Sequence, residues 1–250
     1  MTRVSSGSVS FVIVRLRSLR EKLAWWIADY AFAGYWQMRA LFGSRRVDRY
    51  RSGDASPVLI VPGIWETWRF MLLLIRAIHE AGHPVYLLPQ LKRNARPVDE
   101  SARMVADFVT ANDLRDVLIV AHSKGGMIGK YAMAFLDDDR RISGMVAVAT
   151  PFFGSEYAKY LVLPSLRALS PEDPTTLTLD EAPEVNRRIV SVFGVFDPHI
   201  PVGSRLSGAH NIELPTGGHF RVLGRPETLA AVLSAADQGH STRSDGDTGA

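Results

Sequence analysis

From Val58 to Ala236 the chain repeats one unit: a short β-branched and aliphatic run, a loop, then a helix-length amphipathic segment. The runs at Val58–Val61, Pro84–Leu88, Asp116–Ala121, Ile142–Ala149, Ile189–Val195 and Asn211–Leu214 read as strands. Trp65–Ala81, Val98–Asn112, Ser123–Leu136 and Arg225–Ala236 read as the helices between and after them. Such alternation predicts a mostly parallel sheet with helices on both faces. With 250 residues, 46% of them hydrophobic, the chain can bury the core that one such domain needs.

Residues 155–187 break the rhythm with Pro-containing turns and a weak helical stretch at Glu156–Leu163, the place for a small inserted lid. The tail, Gln238–Ala250, has no apolar anchor and is expected to be disordered. The expected organisation is an arm over 1–51, an α/β domain over 52–237 that carries the insertion, and a tail over 238–250.

The arm is distinct in charge. Residues 1–51 hold ten Arg/Lys against Glu21, Asp29 and Asp48, so with a net charge of +3 the rest of the chain stands at −4. The basic character therefore belongs to the arm, and no nucleic-acid surface is expected on the main domain. From Phe11 to Phe42, helical periodicity puts Val12, Leu16, Leu19, Leu23, Ile27, Tyr30, Met38 and Leu41 on one face, with Arg15, Ser18, Lys22 and Asp29 on the opposite stripe. Asp29 and Arg39 interrupt any run near the roughly 20 apolar residues that span a bilayer. Ala31-Phe32-Ala33 has the spacing of a signal-peptidase site, but the apolar stretch before it is short and contains Asp29, so a retained arm and a cytoplasmic protein are expected, with secretion as the alternative. Trp25, Trp26 and Trp36 among arginines suit a helix lying peripherally in an anionic membrane interface over residues 11–42. A helix docked on its own domain would call on the same apolar stripe.

The segment VLIVAHSKGGMIGKYA, Val117 to Ala132, runs from a strand into a helix through Ser123. A serine hydroxyl is a poor nucleophile near neutral pH and needs a base and an exposing turn. Small residues two positions to either side, Ala121 and Gly125, allow strand and helix to meet closely around a strained serine. The consensus for that turn is G-x-S-x-G, so Ala121 is a departure that still keeps the side chain small. The competing reading of Ser123 is a simple helix N-cap.

A nucleophile of this kind predicts an acid and a histidine later in the chain, each just past a strand. Asp197 follows the run Ile189–Phe196 and precedes Pro198, and His219 lies in Pro215-Thr-Gly-Gly-His-Phe220 after the last strand. The other histidines fit less well: His79 and His83 bracket an early helix end, His122 is tied beside the serine, His199 and His210 read as surface or loop residues, and His240 is in the tail. Asp137, Asp138 and Asp139 read as a solvated helix end. Acyl transfer also needs backbone donors at the developing oxyanion, for which the N–H groups of Ile64, shaped by Gly63, and of Lys124 are placed. The Lys124 ammonium is expected at the pocket rim or in solvent. Without cysteine, disulfides, thiolate metal sites and a catalytic thiol are excluded.

Together VLIVPGIWETW, VLIVAHSKGG, VATPFFGSEYA, VFGVFDPHIPVGS and GGHFRVLGRPETLAAVL resemble the α/β-hydrolase fold, in its serine lipase and esterase branch, over roughly residues 57–236. The resemblance implies hydrolysis of a carboxylic ester, small-molecule or lipid, through an acyl-Ser123 intermediate. His219 would act as base then acid, Asp197 would orient it, and no cofactor or metal would be needed. Two positions depart from the family pattern: Pro62-Gly63 stands where His-Gly is usual, and Lys124 follows the nucleophile. A thioesterase, amidase or perhydrolase would use the same triad, and a membrane-associated hydrolase-fold protein without chemistry is the reading from another class.

Overall fold

The strands carry apolar side chains on both faces because both faces are covered. The computed structural model describes residues 6–42, 46–160, 164–167 and 169–244. Its strands are β1 (Val58–Val61), β2 (Val85–Leu87), β3 (Val117–His122), β4 (Ile142–Val148), β5 (Ile189–Phe196) and β6 (His210–Gly217). They form one sheet in the order β2-β1-β3-β4-β5-β6, with every pair parallel. Alternate residues serve two cores: Leu59, Val61, Ile119 and Ala121 point to one side, and Val58, Ile60, Leu118 and Val120 to the other.

The helices are α1 (Ser6–Phe42), α2 (Leu72–Glu80), α3 (Val98–Ala111), α4 (Lys124–Phe135), the short α5 (Pro164–Arg167) and α6 (Pro174–Asp180), and α7 (Pro226–Ser244). Residues of α3 and α4 pack in the first core, and residues of α1, α2 and α7 in the second. The helix expected from Trp65 begins instead as a 3-10 turn at Trp68–Met71, because Trp65 has φ 58°, outside the right-handed helical region. Helix α7 runs on to Ser244, so residues 238–244 are helical where a disordered tail was expected; residues 245–250 lie outside the described residues.

The insertion has two parts. Ser155, Tyr157, Ala158, Leu166 and Leu169 wall a cavity at the carboxyl edge of the sheet. Leu179, Ala182 and Val185 are buried, and Leu179 and Val185 join the first core, so the second half of the insertion is domain interior.

The arm corrects the sequence reading most. Helix α1 docks on the domain with the opposite stripe: Asp29 and Trp36 are buried, Phe32 and Ala33 pack against the second core, and Trp25 meets Gly217 and Phe196. Leu19, Leu23, Ile27 and Met38 point outward. From residue 18 to residue 36 the inward stripe mixes Trp25, Phe32, Ala33 and Trp36 with Ser18, Lys22 and Asp29, and periodicity alone could not rank two partly apolar faces on one helix. The side chains of Val12, Leu16 and Leu41 lie outside what is described. Among the described residues no helix is long and apolar enough to cross a membrane.

Candidate active site

Parallel strands deliver the loops at their carboxyl ends to one edge, and β1 and β3, adjacent in the sheet, lead away in opposite directions along it, the switch point where such sheets open a crevice. Register sets Val61 beside Ala121, so Pro62-Gly63-Ile64 and the turn at Ser123 leave the sheet side by side. Phe196 pairs with Gly217, which brings Asp197 and His219 together.

Ser123 takes φ 50°, ψ −124°, a conformation rare for a residue with a side chain. The structure holds it there from three directions. The Ser123 N–H donates to the Val148 carbonyl at 2.8 Å. A Cβ on Gly125 would strike the Val61 carbonyl, and one on Gly126 would strike the Thr150 side chain, so only glycines let α4 start this close to β1 and β4. The hydroxyl makes no capping bond to its own helix, which removes the N-cap reading.

The Ser123 hydroxyl instead meets His219 Nε2 at 2.9 Å, and His219 Nδ1 lies 2.7 Å from Asp197 Oδ2. A carboxylate only accepts, so Nδ1 carries the proton and Nε2 is left to accept from the serine. Asp197 Oδ1 takes the backbone N–H groups of His199 and Ile200 at 2.7 and 3.1 Å. Burial alone would raise the Asp197 pKa, but the charge and hydrogen bond of His219 and the His199 N–H outweigh it and hold the acid below its ordinary range. Burial pushes His219 down, and the charge of Asp197, its hydrogen bond and the charges of Glu66 and Asp29 more than reverse this, so His219 lies above 6.5.

The sequence did not single out the groups that hold these loops. Glu66 Oε2 accepts from the Gly63 N–H at 2.8 Å and from His122 Nδ1 at 2.9 Å, which fixes the loop before Ile64. His122 Nε2 reaches the His219 carbonyl at 3.1 Å. Asp29, from the arm, accepts three backbone N–H groups of the histidine loop: His219 at 2.9 Å, Phe220 at 2.8 Å and Arg221 at 2.8 Å. Gly218, at φ 123°, admits it, since a Cβ there would run into the Asp29 carboxylate. The signal for Asp29 was an acid between Trp25, Phe32 and Trp36 on one helical face, where a carboxylate needs strong donors.

One placement corrects the sequence reading, and His199, on a loop as expected, gains a place in the cavity. The Lys124 side chain is fully buried, away from rim and solvent, and its Nζ donates to the carbonyls of Asn94, at 3.0 Å, and Arg96. Asn94 Nδ2 in turn donates to the Pro62 carbonyl at 2.7 Å, so the lysine braces the loop before Ile64 through a neighbouring loop. Burial pushes its pKa down to about 8. His199 lines the cavity, where burial, then the nearby His219 charge, push it down to about 4, so it is neutral at pH 7.

The cavity has a volume of about 450 Å³ and is lined by Ser123 and His219 together with Ile64, Trp65, Pro151, Leu169, Ile200 and Phe220 among others. Ile64 thus shares the cavity with Ser123, and the Lys124 backbone follows Ser123 directly. Among the described residues no cluster of His, Cys, Asp or Glu could hold a metal ion.

No protein-family model matches the chain, and no curated protein matches it. Solved structures do. The mature form of the Bacillus licheniformis lipase BlEst2 superposes with a TM-score of 0.56 at 15% identity, covering 77% of this chain and 94% of that one. A monoacylglycerol lipase from Paleococcus ferrophilus gives 0.54 at 16% identity, covering 76% and 98%. An enol-lactonase from Burkholderia xenovorans gives 0.50 at 12%, covering 73% and 92%. At these identities the likeness concerns the fold: the chain has the α/β-hydrolase fold.

Proposed function

We propose that this α/β-hydrolase-fold chain is a serine hydrolase that cleaves a carboxylic ester with an apolar acyl group. The observation that carries the reading is the unbroken path from Ser123 through His219 to Asp197 on a strained turn that opens into a cavity. As Ser123 Oγ bonds to the ester carbonyl carbon, its proton passes to His219 Nε2 and the carbonyl electrons move onto oxygen. The N–H groups of Ile64 and Lys124 meet that oxyanion, and the start of α4 adds its positive end. The carbon–oxygen bond to the leaving group then breaks, and the alkoxide takes the proton from His219. Water, deprotonated by the same imidazole, then adds to the acyl carbon, the bond from that carbon to Ser123 Oγ breaks, and Oγ takes the proton back from His219 Nε2 as the acid leaves. The likeness to lipases is compatible with this chemistry. Trp65, Leu166, Leu169 and Ile200 favour an apolar acyl chain over a charged one.

A panel of p-nitrophenyl esters of increasing acyl length tests the proposal. The wild type should turn over apolar acyl esters, and Ser123→Ala should lose at least about 10³-fold in kcat. Full turnover by Ser123→Ala would overturn the mechanism, and faster cleavage of matched thioesters or amides would reassign the substrate class.

A further inference from the structure

Over its described side chains helix α1 is apolar on two sides, and the domain covers only one of them. On the other side Leu19, Leu23, Trp26, Ile27 and Met38 are 46–58% exposed in a row at helical spacing. Single exposed apolar residues are ordinary, but a continuous row marks an interaction surface. The row reaches the catalytic cavity. Trp26 packs on Tyr30 with ring centroids 4.9 Å apart, and the Tyr30 hydroxyl lies 3.1 Å from Nε2 of His199, a cavity-lining residue. Trp65 and Tyr157, both exposed, line the same cavity.

Charge selects what covers this row. Of the three acids in residues 1–51, Asp29 is buried and held by the histidine loop, whereas the sequence carries ten Arg/Lys there, of which Arg20, Lys22 and Arg39 are exposed on α1. Two such cationic arms facing each other would repel, while an anionic surface would attract them. No described helix is long and apolar enough to span a membrane, but a helix with an apolar row, cationic flanks and interfacial Trp and Tyr lies flat in a headgroup layer. We propose that the outward face of α1 docks the protein on an anionic lipid bilayer, with the catalytic cavity beside the contact. Docking stands apart from the ester-hydrolase reading, because it is measured without substrate.

The test is sedimentation of the full chain with phosphatidylcholine vesicles, with and without phosphatidylglycerol. The wild type should sediment with the phosphatidylglycerol vesicles, less so at high salt, and weakly with phosphatidylcholine alone. Leu23→Glu with Ile27→Glu should lower the bound fraction at least about tenfold with turnover of a soluble ester unchanged. Leu19→Ser with Met38→Ser, a milder pair, should lower it in the same direction. Equal sedimentation of the wild type and both variants, or no sedimentation of the wild type, would overturn the proposal. So would a wild-type dimer in sedimentation velocity that the glutamate pair converts to monomer without any vesicle binding.

Discussion

Asp29→Asn removes one charge and almost no volume, and it tests whether the arm is part of the active site. In the wild type a single buried carboxylate takes three N–H donors from consecutive residues beginning with His219, at 2.9, 2.8 and 2.8 Å. An asparagine can present oxygen to only one side. With its oxygen toward Phe220 and Arg221, its amide confronts the His219 N–H, and a buried donor left unpaired costs about 1–3 kcal/mol. If that penalty falls on the placement of His219 in the transition state, kcat/KM drops roughly 5- to 150-fold. Lost charge makes a second mark. Asp29 is among the groups that raise the His219 pKa, so the acid limb of kcat/KM should move to lower pH in the variant. Steady-state kinetics from acid to neutral pH, normalised by active-site titration, reads both effects. A variant within twofold of the wild type whose acid limb has not moved would refute the positioning role, even if its thermal midpoint fell.

Further expectations follow from the same geometry. The wild-type acid limb should be half-maximal above pH 6.5, because the imidazole must be neutral to accept the serine proton and its pKa is raised. Asp197→Asn should lower kcat by roughly 10³–10⁴ and shift the residual acid limb downward, measured with the same ester over the same pH range. Lys124→Met should lower kcat/KM by about tenfold by releasing the brace on the loop before Ile64. In the wild type the folded Lys124 loses its proton near 8 and the unfolded one near 10.5, so unfolding takes up a proton between these values and stability rises with pH there. Urea unfolding across that window should show a slope in Lys124→Met smaller by up to about 1.4 kcal/mol per pH unit.

The sheet was legible because buried parallel strands need apolar side chains on both faces, and a run such as Val58–Val61 has little alternative. Ser123, Asp197 and His219 could be picked as candidates because each sits at a strand end, where the fold collects its loops, and the structure brings the three within hydrogen-bond distance. What stayed hidden depends on contacts between segments distant in sequence. Asp29 lies 190 residues from the loop it holds, and Glu66 reaches His122 across 56 residues. The arm was misoriented for a related reason: its outward row is the more continuously apolar stripe, and only Gly217 and Gly218, which admit Trp25 and Asp29, show which side the domain receives. Lys124 was misplaced because its long stem reaches two carbonyls whose loop conformation, with Asn94 at φ 50°, is not encoded nearby.

The most direct test of the central claim is mass-spectrometric mapping after reaction with a fluorophosphonate, which captures a serine only where a base and oxyanion donors activate it. The wild type should carry one adduct, on the peptide that contains Ser123. Labelling should vanish in Ser123→Ala and fall sharply in His219→Ala. A wild type that takes up no probe, or an adduct that persists in Ser123→Ala, would contradict the assignment of Ser123 as the nucleophile.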